Sequence, residues 1–285
     1  MAKRASDFSK AAREMIVMMI RQSTCARSGF RSIGVAVVCF AFCLMATTFA
    51  SLSAEDWADP GQQSASVLLP PDGAVVLFDG SGFDAWKPFS FQWINPDDDQ
   101  RQIQWRIVDG NAMQIEFEFD GKRRKQFLCT KQSFGDYRLH LEFQLPSEGS
   151  GNSGVFFGPL YELQILNSAG KDKLGLGDCG AIYQIREPDV NAARPPGVWQ
   201  TIDLVYEAAK IGGNGFMAEK DAARVSVWLN STLIHDDVKL SLRRNKYAAF
   251  PETPLSPIVL QEHGSPVKFR NIWLLESTST LDQNP

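Results

Sequence analysis

The alternation of polar and apolar residues in Tyr161–Leu166 predicts a β-strand that carries Glu162 and Gln164 on one face. A glutamate can accept a proton or hydroxyl hydrogens, and a glutamine both donates and accepts hydrogen bonds. The pair therefore suits a sugar, whose hydroxyl groups need both kinds of partner. The alternative is that the two side chains simply cover the solvent side of a sheet.

The second candidate is a histidine at a predicted strand end. His263 lies in Gln261-Glu262-His263-Gly264, where the glycine permits a turn that would present the imidazole to a cleft. Histidine titrates near neutral pH and is the most frequent general acid or base. Gln261 shares its face of the strand and would bind substrate. The alternative is a histidine in a surface turn.

Three further residues extend the candidate binding set. Asn152 is presented by the glycine-rich loop 149–154, which lacks the Lys-Ser/Thr of a phosphate-binding loop. Tyr183 could stack on a sugar ring or belong to the core. In the predicted strand Tyr137–Leu145, Glu142 faces away from the core. Periodicity alone does not tell whether this face belongs to the same sheet as the first candidate.

Short alternating runs, separated by Gly, Pro, Asn and Asp, must position these residues. They recur through about 205 residues, and long helical patterns are nearly absent. About a dozen strands in this length predict an all-β fold of two packed antiparallel sheets. We divide the chain into a leader at 1–54, a linker at 55–73, one β-sandwich domain at 74–276 and a polar tail at 277–285.

The charge balance bears on the partner. The 285 residues contain 29 Lys and Arg against 33 Asp and Glu. Residues 1–54 hold seven basic and two acidic residues, which leaves 22 basic and 31 acidic residues, a net charge of −9, in the remainder. An acidic body argues against nucleic acid as a partner, because that affinity comes largely from neutralised phosphates. The expected partner is a small carbohydrate.

The leader has the pattern of a secretory signal. Ile33–Ala50 is an uncharged stretch of 18 residues that follows Arg21, Arg27 and Arg31 and ends in small residues. Cleavage after Ala50 or Ala54 would release the body into the periplasm, the cell envelope or the medium. The alternative is an uncleaved membrane anchor, since a stretch of this length can just span a bilayer.

Cysteine and metal patterns are sparse in the body. Only Cys129 and Cys179 remain there, and export would permit a bridge between them. Two buried thiols are the other interpretation. The chain has no CxxC or HExxH motif, so no strong metal motif is present and no cofactor is predicted. The sequence leaves a requirement for a divalent metal open.

Nine short motifs together resemble one known family, the 3-keto-disaccharide hydrolase domain. In chain order they are Val76–Gly80 with Trp86, Phe127–Lys131 with Phe134–Tyr137, Asn152–Phe157, Tyr161–Leu166, Gly180–Tyr183, Pro196–Trp199, Val227–Asn230, Gln261–Gly264 and Val267–Trp273. The resemblance implies a concanavalin A-like jelly-roll sandwich. One departure is Glu262, which stands where the family pattern has Asp.

The resemblance also implies cleavage of a glycosidic bond in sugars already oxidised at C3. Ordinary retaining glycosidases need two carboxylates about 5 Å apart, but the strand of Glu162 offers Gln164 instead of a second acid. Cleavage of a 3-keto sugar does not need two carboxylates, because the ketone acidifies the hydrogen at C2 and one base can remove it. Glu162 and His263 would then share the base and acid roles, in either order. The predicted binding residues are Gln164, Gln261, Asn152, Tyr183, Lys131 and Glu142.

Two other functions fit the same residues. A carbohydrate-binding, lectin-like sandwich would use the same polar set only to hold a sugar. An interaction domain would neither bind nor cleave one.

Overall fold

Alternating runs of β-branched and aromatic residues become strands in the computed structural model of the protein. The structure describes residues 68–89, 102–108, 111–116, 118–119, 122–123, 126–158, 161–211, 222–240 and 253–277. These residues contain fifteen strands and no helix. The strands are β1 (Val75–Phe78), β2 (Trp86–Phe89), β3 (Arg106–Val108), β4 (Ala112–Gln114), β5 (Glu118–Phe119), β6 (Lys122–Arg123), β7 (Phe127–Thr130), β8 (Tyr137–Gln144), β9 (Ser153–Phe157), β10 (Tyr161–Ile165), β11 (Trp199–Glu207), β12 (Arg224–Leu229), β13 (Thr232–Lys239), β14 (Val259–Leu260) and β15 (Lys268–Glu276).

The strands form two large antiparallel sheets, which confirms the predicted all-β sandwich. The eight-stranded sheet has the order β13-β12-β11-β8-β15-β4-β3, and β1 also pairs with β15. The five-stranded sheet has the order β10-β9-β14-β7-β2. A separate two-stranded ladder joins β5 to β6. Neighbouring strands are often distant in sequence, as expected of a sandwich with crossing connections.

The core lies where the alternation of residues predicts it. Leu139, Leu141 and Phe143 of β8 are fully buried in the central apolar cluster, as are Leu163 and Ile165 of β10. Burial of such side chains contributes about 1.5–3 kcal/mol each. The residues between them project from the opposite face of each sheet. Because β8 and β10 belong to different sheets, their polar faces are separate surfaces.

A short segment after β10 continues the five-stranded sheet. The Gln164 amide donates to the carbonyl of Ala181 at 2.9 Å, and the Tyr183 amide donates to the carbonyl of Glu162 at 2.8 Å. His235 of β13 holds this segment from the other sheet, because its Nε2 lies 2.7 Å from the carbonyl of Gly180. The backbone of β10 is therefore paired on both sides.

The buried imidazole of His235 should make the stability of the fold depend on pH. Burial lowers the pKa of His235 below its ordinary value of 6.5. As the pH falls below about 6.5, His235 takes up a proton in the unfolded chain before it does so in the folded protein. The free energy of unfolding therefore decreases until the pH reaches the pKa of His235 in the folded protein. Urea unfolding at pH 7.5 and 5.5 should show a larger loss for the wild type than for His235→Gln. The difference should be at most about 1.4 kcal/mol per pH unit, and equal losses in both proteins would contradict it.

Several sequence predictions fall wholly or mainly outside the described residues. These are the leader at 1–54, most of the linker at 55–73 and all but the first residue of the tail at 277–285. In the part of the chain that the structure does describe, no helix has the length and apolar character to cross a membrane. Cys129 and Cys179 are both buried and are not joined by a disulfide, so the interpretation as two buried thiols is correct. Burial raises the pKa of the Cys179 thiol to about 11.

Candidate functional site

Glu162 and Gln164 project from the face of β10 opposite the core, yet they are only 2% and 4% exposed. Gln164 pairs in register with Gly154 of β9. A side chain at Gly154 would place its Cβ 2.8 Å from Glu162 Oε1. The absence of a side chain at Gly154 therefore leaves the space that the Glu162 carboxylate occupies. The sequence gave no signal of this role for the glycine.

Gln261 brings an amide to this carboxylate. The backbone amide of Gln261 donates to the carbonyl of Gly154 at 2.9 Å, and the backbone carbonyl of Gln261 accepts from Ser153 Oγ at 2.7 Å. These bonds hold the residue beside β9. Its side-chain Nε2 then donates to Glu162 Oε1 at 2.9 Å. Its Oε1 is buried without a hydrogen-bond partner among the described residues, an unmet acceptor that costs free energy in the folded protein.

Gln164, Asn152 and His263 form a chain of side-chain hydrogen bonds. Gln164 Nε2 lies 2.8 Å from Asn152 Oδ1. Asn152 Nδ2 lies 3.2 Å from His263 Nδ1. His263 itself is exposed, whereas Glu162 is buried. The site therefore has a buried carboxylate and an exposed imidazole, with amide side chains hydrogen-bonded to each.

The turn that presents His263 is built by its two neighbours. Gly264 has a φ of +81°, a conformation that suits glycine. Its amide donates a hydrogen bond to Oε1 of Glu262, which is 1% exposed. The sequence gave no signal of this role for Glu262, because the residues whose side chains commonly bond the backbone two positions on are Asn, Asp, Ser and Thr. Its carboxylate helps to fix the backbone on either side of the imidazole.

The comparison with family models identifies the domain. Residues 73–275 match the family described as "3-keto-alpha-glucoside-1,2-lyase-like domain". The chain belongs to this family. The resemblance drawn from the nine sequence motifs is therefore confirmed.

Two solved structures support the fold of this 3-keto-alpha-glucoside-1,2-lyase-like domain. The chain is similar to a "putative glycosyl hydrolase" from Parabacteroides distasonis ATCC 8503, solved at 2.13 Å, with 30% identity and a TM-score of 0.59. The match covers 72% of this chain and 84% of that one. A second protein with the same description and source, solved at 1.70 Å, is 20% identical with a TM-score of 0.53. That match covers 72% of this chain and 94% of the other. The comparison with curated proteins found no match.

The remaining predicted site residues are not all brought together in this lyase-like domain. Tyr183 is half-buried and lies beside β10, because its amide donates to the carbonyl of Glu162. Lys131 is exposed and directly follows β7, which two strands separate from β10. Glu142 lies on the eight-stranded sheet, where its carboxylate accepts from Arg270 Nε at 2.7 Å and from Asn271 Nδ2 at 3.0 Å. Only Tyr183 of these three adjoins the strand of Glu162.

A buried charged network on the eight-stranded sheet escaped the sequence analysis. Asp203 Oδ1 accepts from Arg138 Nη2 at 3.0 Å and lies 3.1 Å from His140 Nδ1. The His140 ring stacks on Trp273 with centroids 4.9 Å apart. Burial alone would raise the pKa of Asp203, but the hydrogen bonds and charges of His140 and Arg138 outweigh it and lower that pKa. The sequence gave no signal of this network, because its members come from three strands.

Within the described ranges, no group of three or more His, Cys, Asp and Glu side chains is arranged to hold a metal ion.

Proposed function

We propose that this domain cleaves the glycosidic bond of 3-keto-glycosides at the site of Glu162 and His263. The observation that carries the proposal is a pair of hydrogen-bonded side-chain groups on β10 and its neighbours. Gln261 binds the buried Glu162 carboxylate, and Gln164 and Asn152 lead to the exposed imidazole of His263. Membership of a family described as 1,2-lyase-like supports an elimination between C1 and C2. The position two residues beyond Glu162 is Gln164, which suits a reaction that needs one base rather than two carboxylates.

The proposed reaction begins at C2. The base removes the C2 hydrogen as a proton, and the electron pair of that bond forms an enolate whose charge lies on the C3 oxygen. The enolate collapses, restores the ketone and expels the group at C1 with the electrons of the C1–O bond. The departing oxygen takes up one proton, so the elimination is balanced. Addition of water across C1 and C2 would then release the free 3-keto sugar.

The surroundings of Glu162 fit this chemistry. A buried carboxylate is hydrated by fewer water molecules than an exposed one. Less solvent therefore has to reorganise when the carboxylate takes a proton from carbon. Gln261 fixes one of its oxygens by donating a hydrogen bond from Nε2. Tyr183 stands beside the same strand, where its ring would pack against the sugar. Export through the leader is part of the proposal, and it would bring the site to sugars outside the cytoplasm.

The direct test compares oxidised and unoxidised sugars. The purified full chain should release reducing sugar from 3-keto-lactose or 3-keto-sucrose and none from lactose or sucrose, because only the ketone acidifies C2. Release from the parent sugars at a similar rate would overturn the ketone-assisted route. Binding of the keto sugars by calorimetry without any release would identify a lectin-like module instead.

A further inference from the structure

The direction of the hydrogen bonds around Gln164 is fixed by the backbone. Its Nε2 lies 3.2 Å from the carbonyl oxygen of Ser153 and 3.0 Å from that of Ile165. Carbonyl oxygens only accept hydrogen bonds, so the group that faces them must be the amide nitrogen. The same nitrogen lies 2.8 Å from Asn152. The atom that Asn152 presents to it must therefore be the acceptor, Oδ1.

This orientation determines the proton on His263. With Oδ1 turned towards Gln164, the amide nitrogen Nδ2 of Asn152 faces His263 Nδ1 at 3.2 Å. An amide nitrogen donates and does not accept, so Nδ1 must be the unprotonated nitrogen of the ring. A neutral imidazole with Nδ1 unprotonated carries its hydrogen on Nε2. In an imidazolium, Nδ1 would also carry a hydrogen, so two donors, Nδ1 of His263 and Nδ2 of Asn152, would face each other.

We infer that Gln164 and Asn152 are positioning residues that hold His263 as the neutral Nε2–H tautomer, which makes His263 a hydrogen-bond donor and Glu162 the base. This inference rests on the proposed function for its chemical meaning, but the tautomer itself does not depend on it. Sequence reasoning left the two roles interchangeable. The hydrogen-bond directions distinguish them.

The tautomer has a consequence for the reaction. A neutral imidazole is a very weak acid, so His263 stabilises a substrate oxygen by donating a hydrogen bond and keeps its proton. The natural recipient is the C3 oxygen, on which the negative charge of the enolate develops. A donor placed where charge develops lowers the barrier without any proton transfer. The proton from C2 passes to Glu162, and the proton for the departing oxygen comes from solvent.

The same reasoning gives His140 the opposite tautomer, which supplies an internal reference. Asn271 Nδ2 lies 2.9 Å from the carbonyl of Leu68 and 3.0 Å from Glu142 Oε1, so it is a donor. It also lies 3.3 Å from His140 Nε2. On the other side of the ring, Asp203 Oδ1, which can only accept, lies 3.1 Å from His140 Nδ1. His140 therefore carries its hydrogen on Nδ1 and donates it to Asp203.

Nitrogen NMR of the imidazole rings tests the inference directly. The chain has three histidines, so a sample of the full chain labelled with 15N-histidine gives three ring systems, and His263→Gln identifies the one of interest. At about pH 8, above the ordinary imidazole pKa of about 6.5, Nε2 of His263 should be the protonated nitrogen. His140 should show the reverse. A protonated Nδ1 in His263 overturns the inference, whether or not the protein cleaves a keto sugar.

Asn152→Asp provides the second arm. The carboxylate still accepts from Gln164 but replaces the donor towards His263 by an acceptor. The proton should move to Nδ1, because the new carboxylate oxygen facing that nitrogen can only accept a hydrogen bond. Asn167→Asp is the matched control. Asn167 is exposed, and its backbone amide donates a hydrogen bond to the carbonyl of Ser150. The inference fails if Asn152→Asp leaves the tautomer of His263 unchanged, or if the control shifts it equally.

Discussion

Glu162→Gln should lower the kcat of the full chain on a 3-keto-disaccharide by about 10²–10⁴-fold, the usual contribution of a general base. The substitution keeps the shape of the side chain and removes its ability to take a proton. Its carbonyl oxygen can still accept the hydrogen bond from Gln261 Nε2, which the wild-type carboxylate accepts at 2.9 Å. We therefore expect KM and the midpoint of thermal unfolding to change little. Initial rates over a range of substrate concentrations separate the two kinetic constants.

The matched control is Glu187→Gln, the same chemical change at an exposed residue outside the site. It should retain the wild-type kcat. If Glu162→Gln keeps more than half of the wild-type kcat, Glu162 is not the base. If instead KM rises strongly while kcat is unchanged, the residue only binds the sugar, and the enzyme needs another base.

The pattern of single strands could be read from the sequence, and it accounts for most of the fold. Alternation placed Glu162 and Gln164 together on one face of β10, and the structure agrees because that strand is regular and fully paired. Alternation also correctly turned Glu142 away from the core. It could not show that β8 and β10 belong to different sheets, since sheet membership depends on pairing between strands that are far apart in the chain.

The contacts within the site were beyond the reach of sequence spacing for the same reason. Gln261 and Glu162 are 99 residues apart, and Asn152 and His263 are 111 residues apart. The sequence could name Glu162 and His263 as reactive types, but the connection between them depends on β9 lying between β10 and β14. The role of Gly154 was equally hidden, because the sequence does not show that this glycine of β9 lies opposite a strand whose carboxylate needs the space.

Asp203→Asn should lower the free energy of unfolding by about 3–5 kcal/mol, the cost of breaking a buried ion pair by removing one partner. Asp203 is 4% exposed and Arg138 is 7% exposed. The substitution leaves the Arg138 guanidinium with its charge buried and brings an amide towards the proton on His140 Nδ1. Urea unfolding at neutral pH measures the loss. Asp189→Asn is the control, because Asp189 pairs with Arg186 on the surface, where an ion pair contributes less than about 1 kcal/mol.

The pH dependence of Asp203→Asn distinguishes the charge of Asp203 from its shape. The lowered pKa of Asp203 means that its carboxylate stabilises the fold above the ordinary pKa of 3.8, and that this stability is lost as the pH falls through the lower folded value. The wild type should therefore lose its advantage over Asp203→Asn below about pH 4. A constant difference between the two proteins from neutral to acidic pH would show that packing around the side chain, and not its charge, stabilises this face of the sheet.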